Sequence, residues 1–414
     1  AGQASAEFSY LITAKIKRMG KLFKVNGHPK YYAWGDKRTL YDFLGWHRGS
    51  ERFAELWFGT HPKGQSSISN GIPLITMVSN PTGFMKPVSS GFLDYIGLPY
   101  LVKFLAPAVP LSVQVHPSKT QAMAGYSKEE MLHIPLNDPT RIFKDRNHKP
   151  ELLVALSDWE ALVGITSETE VAEFLTALDT RHARVALVDI ERIGLAEYLR
   201  SVLTGEVSIS AFAIAETVAR CGELAGSAVC DRVQKRAQLI LRLHQHFPND
   251  IGLLLALAMN HVKLSAGEAM FVPVGTLHAY LSGIGFEVMA SSDNVLRAGL
   301  TKKHVDPQGL ASCANFHSED PAIITPVAQQ LQGVSVVQYA VPVADFGVEI
   351  FSFEGGQVAL TNTLNELLVC LEGSVEIDTH VQNLCLQKGE VAFLTENSRV
   401  LVTGEGKVAH VKGV

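Results

Sequence analysis

Long apolar runs are missing from this chain. The run at 251–259 falls well short of the roughly 20 residues that a membrane-spanning helix needs. An excess of one charge is missing too. With 36 Lys and Arg against 41 Asp and Glu, the net charge of −5 gives no bulk attraction to nucleic acid or to an anionic membrane. A negatively charged substrate must therefore find its positive partners locally. Cysteine is sparse: Cys221, Cys230, Cys313, Cys370 and Cys385 are odd in number and contain no C-x-x-C pair. Such a set reads as free thiols in a reducing compartment, which points to the cytoplasm, and not as a disulfide framework. Proline is absent between 167 and 247, which removes the strongest helix breaker from that stretch.

What is present is ordinary globular material, 47% hydrophobic and 19% charged, in 414 residues, enough for two or three domains. Residues 1–18 precede Met19-Gly20-Lys21-Leu22-Phe23, which has the form of a natural start, and are expected to be an appended or disordered extension. Over 19–166, short apolar runs such as Leu101-Val102-Lys103-Phe104-Leu105 are cut by Gly, Pro, Asn and Asp, the punctuation of strands and loops. A helix over 118–131, capped by Ser118, is the exception. Residues 167–260 change character. Ser167-Glu168-Thr169-Glu170 has the form of a capping box, and Val171, Phe174, Leu175 and Leu178 recur at helical spacing. The pattern repeats over 196–203, 209–224 and 232–247. Strand-like sequence returns over 261–319, so the helical stretch is expected to be an insertion in a β domain of sandwich or jelly-roll type. Residues 320–414 are expected to form a further β domain. In it Leu386-Gln387-Lys388-Gly389-Glu390-Val391-Ala392-Phe393-Leu394 repeats the pattern of Leu264-Ser265-Ala266-Gly267-Glu268-Ala269-Met270-Phe271-Val272.

Three segments carry candidate chemistry. In 110–117, Leu111, Val113 and Val115 alternate with Ser112, Gln114 and His116, so a strand here turns three polar side chains to one face. Gln114 and His116 then lie about 6–7 Å apart at Cβ, within bite of one ion. Asp145-Arg146-Asn147-His148-Lys149-Pro150-Glu151 leads into a buried strand and offers Glu151. Pro273-Val274-Gly275-Thr276-Leu277-His278 offers His278. Singly these are bland: a polar strand face, a solvated loop, a histidine beside a turn. Together a carboxylate, two imidazoles and an amide oxygen suit a borderline divalent ion, zinc first. The later copy of the repeat is followed by Thr395-Glu396-Asn397-Ser398-Arg399, with no histidine, so the last domain is expected to share the shape without the metal. Asp293 and Arg297 read either as an ion pair on one helical turn or as an arginine placed to hold an anion or steady charge on oxygen. Lys103 reads as a snorkelling side chain or as a buried cation, and snorkelling is the simpler reading.

These blocks resemble the type I phosphomannose isomerase family. Gln114-Val115-His116-Pro117, Asn147-His148-Lys149-Pro150-Glu151, Pro273-Val274-Gly275-Thr276-Leu277-His278 and Ser292-Asp293-Asn294-Val295-Leu296-Arg297 stand in that family's order and spacing. Tyr32-Ala33-Trp34-Gly35 and Ala54-Glu55-Leu56-Trp57-Phe58-Gly59 also match. The likeness runs from about Phe23 to the C-terminus and is weaker in the helical stretch and last domain. It implies a fold that is mainly β with an inserted α-helical domain, built as two cupin-type jelly rolls of which the second lacks metal ligands. It implies one Zn2+ per chain on Gln114, His116, Glu151 and His278, a catalytic Arg297, and a pocket lined by Lys103, His148, Lys149, Glu287 and Asp293. The implied reaction interconverts mannose 6-phosphate and fructose 6-phosphate, with a small sugar phosphate as the only partner of a monomeric, cytoplasmic enzyme.

Aldose–ketose isomerisation needs a base near C1 and C2 and positive charge facing an enediolate. Lys103, Lys149 and Ser112 suit phosphate or sugar hydroxyls, and the base stays open among His148, Lys149, Asp293 and Glu287. One departure from the family pattern is Phe143-Lys144-Asp145, where a tyrosine-led variant is expected. Two rival readings are a metal-dependent dioxygenase, which needs iron or copper and an apolar pocket, and a sugar-binding or storage protein, which has no use for Arg297. The helical stretch is expected to cover one mouth of the pocket.

Overall fold

The computed structural model describes residues 21–69, 71–78 and 97–413; the extension expected at 1–18 lies outside them. The architecture is mainly β with several helices. Among the described residues, no helix is long and apolar enough to cross a membrane. All five cysteines are free thiols. The chain divides into two compact units, one holding Ala106–Gly285 with Ser292–Ile323, the other the described residues up to Leu105, Phe286–Ser291 and those from Ile324 on.

In the first of these units an antiparallel five-stranded sheet runs in the order Leu296–Gly299, Val113–Val115, His278–Ser282, Trp159–Ile165, Met259–Leu264. Strand Glu151–Ala155 pairs with Ala269–Val272. The strand expected across 110–117 is only three residues long. Pro110 and Pro117 have no N–H to give a ladder, although Leu111 N still donates to Tyr280 O at 2.8 Å.

Six helices follow the sheet's first strands: Glu168–Leu178, Arg181–Ile193, Leu195–Thr204, Ala211–Ala225, Asp231–His246 and Gly252–Leu257. Ser167, Thr180 and Ser210 each cap a helix by accepting a backbone N–H three residues on. Val171, Phe174, Leu175 and Leu178 share one core with Val113, Val115, Leu277, Ala279, Leu296 and Ala298 of the sheet. Those sheet residues alternate with Gln114, His278 and Arg297. The helices therefore pack on the reverse face of the sheet from the polar residues, and these contacts do not form the cover expected over a pocket mouth.

In the other unit a nine-stranded sheet is built on the long strands Gly347–Thr361, Arg399–Lys412 and Glu366–Asp378. The strand Leu22–Asn26, early in sequence, joins it by pairing with Val391–Leu394. The repeat seen in the sequence is a repeated turn. Glu268 N donates to Ser265 O at 3.0 Å, while the Glu268 carboxylate takes Ser265 N at 2.8 Å. Glu390 and Gln387 make the same two bonds at 2.9 and 3.0 Å. Gly267 and Gly389 sit between at φ 94° and 84°, where only glycine is unstrained.

A charge cluster lies buried in this sheet. His410 Nε2 stands 2.5 Å from Glu366 and Nδ1 3.6 Å from Glu349, which also pairs with Lys412. Burial works against charge on His410, but Glu349 and Glu366 outweigh it and raise its pKa. A base whose folded pKa is raised stabilises the fold below its unfolded value, about 6.5. That contribution fades as pH climbs through the raised value. His410→Gln should therefore lower the thermal midpoint most below about pH 6 and progressively less in alkaline buffer. Calorimetry of both proteins across that range checks it; a pH-independent difference would count against the charged imidazole.

Candidate metal centre

The sheet places three of the candidate residues in one row. Gln114 is in register with His278 on one neighbouring strand and with Arg297 on the other. Strand spacing is about 4.8 Å, so the three side chains stand side by side on one face. His116 follows directly after the central strand, and Glu151 opens its own strand behind Pro150.

His116, Glu151 and His278 offer ligand atoms all within 4.8 Å of one another, and all three residues are buried. His116 Nε2 lies 3.1 Å from Glu151 Oε1, His278 Nε2 lies 3.5 Å from Glu151 Oε2, and the Gln114 amide lies 3.3 Å from His278 Nε2. A tetrahedral ion with bonds of about 2.0–2.1 Å sets its ligand atoms about 3.3 Å apart, so these edges fit one. The Gln114 carboxamide presents oxygen at the same place after a half-turn about its terminal bond.

The imidazoles are oriented as ligands. The outer nitrogens are held by carbonyls, His116 Nδ1 to Asn294 O at 2.8 Å and His278 Nδ1 to Thr276 O at 3.0 Å, which leaves both Nε2 lone pairs facing inward. Burial, reinforced by the Lys149 ammonium, lowers the His116 pKa to about 3 and keeps the ring neutral. Burial opposes charge on Glu151, but the Lys149 ammonium outweighs it and holds the carboxyl well below the usual range. Lys149 Nζ itself lies 2.9 Å from Glu151 Oε1 and 3.5 Å from His116 Nε2, a cation standing among the donors. Tyr280, two residues along from His278, donates its hydroxyl to Glu151 Oε2 at 2.9 Å.

The loops on either side are cross-tied. Asn294 is fully buried; its amide donates to Asp145 O and Asn147 O, and its oxygen accepts from Lys144 N. Asp145 in turn accepts from Ser292 Oγ and Asp293 N, and its pKa is raised by burial. Phe143, at the departure from the family pattern, is buried against Gly125, where no Cβ would fit. Glu129, on helix Lys119–Met131, takes the N–H groups of Ile142 and Phe143.

Arg297 lies in a strand, not on a helical turn, so the Asp293–Arg297 helical pairing does not form. It is half-buried, with no carboxylate at ion-pair distance among the described residues, and burial lowers its pKa. Lys303, on the surface, is near enough for Arg297 to oppose its charge, after burial, the larger cause of its lowered pKa. His148, Asp293 and Ser112 are half-buried in the same unit. Lys103 and Glu287 belong to the other unit. There Lys103 does not snorkel: it is buried, 2.8 Å from Glu287 and 3.8 Å from Glu55, with Trp57 donating to Glu55. Sequence reasoning passed over Tyr280, Asn294 and Lys303. The two-residue step from His278 was the available signal for Tyr280, and Asn294 lay inside a recognised block.

The geometry agrees with what comparison finds. The family model "Phosphomannose isomerase type I, catalytic domain" matches residues 22–167. The mannose-6-phosphate isomerase of Escherichia coli K12 is 34% identical over 396 residues, spanning 92% of this chain and 96% of that one. A solved zinc-bound mannose 6-phosphate isomerase superposes with a TM-score of 0.84 at 31% identity, over 95% of this chain and 100% of that one. The Salmonella typhimurium enzyme, solved with fructose 6-phosphate as substrate and with zinc, gives 0.84 at 32% identity with the same coverage. This chain therefore belongs to the type I phosphomannose isomerase family.

Proposed function

We propose that this protein interconverts mannose 6-phosphate and fructose 6-phosphate, with one zinc ion held by Gln114, His116, Glu151 and His278. The observation that carries the reading is the row Arg297, Gln114, His278: a cation without a carboxylate partner shares a sheet face with the ligand cluster. Relatives solved with zinc and with fructose 6-phosphate support the choice of metal and substrate.

The reaction moves a proton between C1 and C2 through an enediol whose oxygens gain negative charge. Zinc, when bound, supplies positive charge facing those oxygens. Arg297 supplies more, since a half-buried guanidinium with no compensating carboxylate is poorly solvated and strongly felt. His148 and Lys149 on one loop and Asp293 on another, with Glu287, are the groups from which the proton-transfer residue is drawn. Lys149 and Ser112 donate to substrate oxygens. Lys103, whose charge Glu287 balances, suits a sugar hydroxyl, and Lys303 carries a charge suited to a phosphate.

The same reading covers the architecture. It takes 19–166 and 261–319 as a metal-bearing cupin jelly roll, 167–260 as a helical insertion and 320–414 as a metal-free cupin. The repeated Leu-x-x-Gly-Glu turn supports two related halves. A cytoplasmic monomer acting on a free sugar phosphate goes with it.

Zinc-loaded protein mixed with mannose 6-phosphate should form fructose 6-phosphate, read through a coupled dehydrogenase assay. No turnover would sink the isomerase reading, and iron-dependent oxygen uptake would favour the dioxygenase. A second test concerns Tyr280. Tyr280→Phe removes only the hydroxyl that steadies Glu151, so zinc affinity, measured by competition with a chromophoric chelator, should weaken about 10–100-fold. Unchanged affinity would show that the Tyr280 bond does not orient Glu151.

A further inference from the structure

The helical stretch reaches the candidate site's reverse side, and Asp250, between its last two helices, bonds the turn that follows the strand bearing Arg297. Asp250 Oδ1 accepts from Gly252 N at 2.7 Å and Leu300 N at 2.8 Å, and Oδ2 accepts from Thr301 N at 3.0 Å. Leu300 has need of such a partner. It is buried and sits at φ 52°, a left-handed conformation that residues with a side chain seldom adopt. The strand before it carries a bulge: Arg297 pairs with Gln114 and Gly299 with Val113, so Ala298 has no partner of its own in the ladder.

Close backbone contact reinforces the carboxylate. A Cβ on Gly252 would lie 2.4 Å from Leu300 N, and one on Gly299 would lie 2.5 Å from Gly252 Cα. Beyond the turn, Thr301 Oγ1 accepts from Lys303 N at 3.1 Å, so the same clamp continues to the second cation. Gly299, Leu300 and Thr301 are thus fixed by the helical stretch as well as by the sheet. Arg297, two residues before Gly299, takes its placement from both.

We propose that Asp250 is a positioning residue for Arg297: by holding the 299–301 turn it sets the guanidinium over the candidate site and gives the helical stretch a part in the chemistry. This rests on the reading of Arg297 as the group that steadies charge on the substrate. Asp250 touches no ligand of the proposed metal, so metal binding should be indifferent to it.

Full-length, zinc-loaded Asp250→Asn and Asp250→Ala form a graded pair. Asp250→Asn keeps one acceptor oxygen and should lower kcat about 3–10-fold, while Asp250→Ala should lower it about 30–100-fold. Zinc affinity should stay within about twofold of the parent in both. Amide hydrogen exchange at Leu300 and Thr301 should quicken in the same order. In an Arg297→Ala background, Asp250→Ala should cost less than about twofold further, since two residues acting as one unit are not additive. A folded variant with parental kcat and KM would overturn the proposal, as would a loss that tracks zinc content or adds in full to that of Arg297→Ala. If Asp250→Ala does not fold, Asp250→Asn alone decides by the same readouts. A parent protein that turns over no mannose 6-phosphate would instead overturn the isomerase reading, and exchange at Leu300 would still report the clamp.

Discussion

Stripped of metal by a strong chelator and then dialysed, the protein should lose at least about a thousandfold of its isomerase activity, and one equivalent of zinc should restore it. The size follows from the several kcal/mol of charge stabilisation a bound divalent ion contributes, at about 1.4 kcal/mol per tenfold in rate. Stripping should leave the fold intact. Glu151 is buried, but Lys149 stands 2.9 Å from it and compensates its charge when no ion is there. Far-ultraviolet circular dichroism should therefore be the same before and after stripping. Activity that survives chelation within tenfold of the starting value would remove the metal from the chemistry. His278→Ala should mimic stripping and should resist rescue by added zinc at stoichiometric levels.

The second large effect is expected at Arg297. Arg297→Ala should lower kcat about 10²–10³-fold, the loss seen when one donor aimed at a developing oxyanion is removed. Zinc content should not change, because Arg297 is a neighbour of Gln114 in register and not a ligand. Arg297→Lys should recover only part of the loss, since an ammonium cannot make the paired contacts of a guanidinium. The split between kcat and zinc content separates this residue from His278, where both fall together. Parental kcat in Arg297→Ala would point to a binding protein in which this charge is incidental.

How much of this was legible beforehand varied with the kind of interaction. Helix caps and helical spacing are local, so the helices at Ser118 and Ser167 could be read from adjacent residues alone, although the reciprocal box forms at Ser118 with Gln121 and not at Ser167, where the Glu170 carboxylate turns to Thr166 instead. The Leu-x-x-Gly-Glu turns were legible for the same reason, since glycine at positive φ and a carboxylate one residue later specify the turn. The four metal-ligand candidates were visible only as fragments, and their convergence was suggested by the family blocks. Of the two readings of Lys103 the buried cation holds and the simpler, snorkelling one fails, because its partner Glu287 lies far along the chain. Asp293 and Arg297 have helical spacing but form a loop and a strand, because ladder bonds to Val115 and Gln114 override a four-residue pattern. No role was read for Asn294, although it stands inside a recognised block, nor for Asp250. Each acts by tying backbone segments together, and backbone partners leave no mark in a sequence.

The row of Arg297, Gln114 and His278 also bears on what changes this protein can accept. Their spacing is set by peptide groups, so no side-chain replacement elsewhere can slide one of them past another. Adding or deleting one residue just before Arg297 would turn it to the helix-packed side of the sheet and bring an apolar neighbour into its place. Length changes at 293–295 should therefore be all-or-none for activity even in proteins that fold, whereas single-residue replacements around the row should grade it.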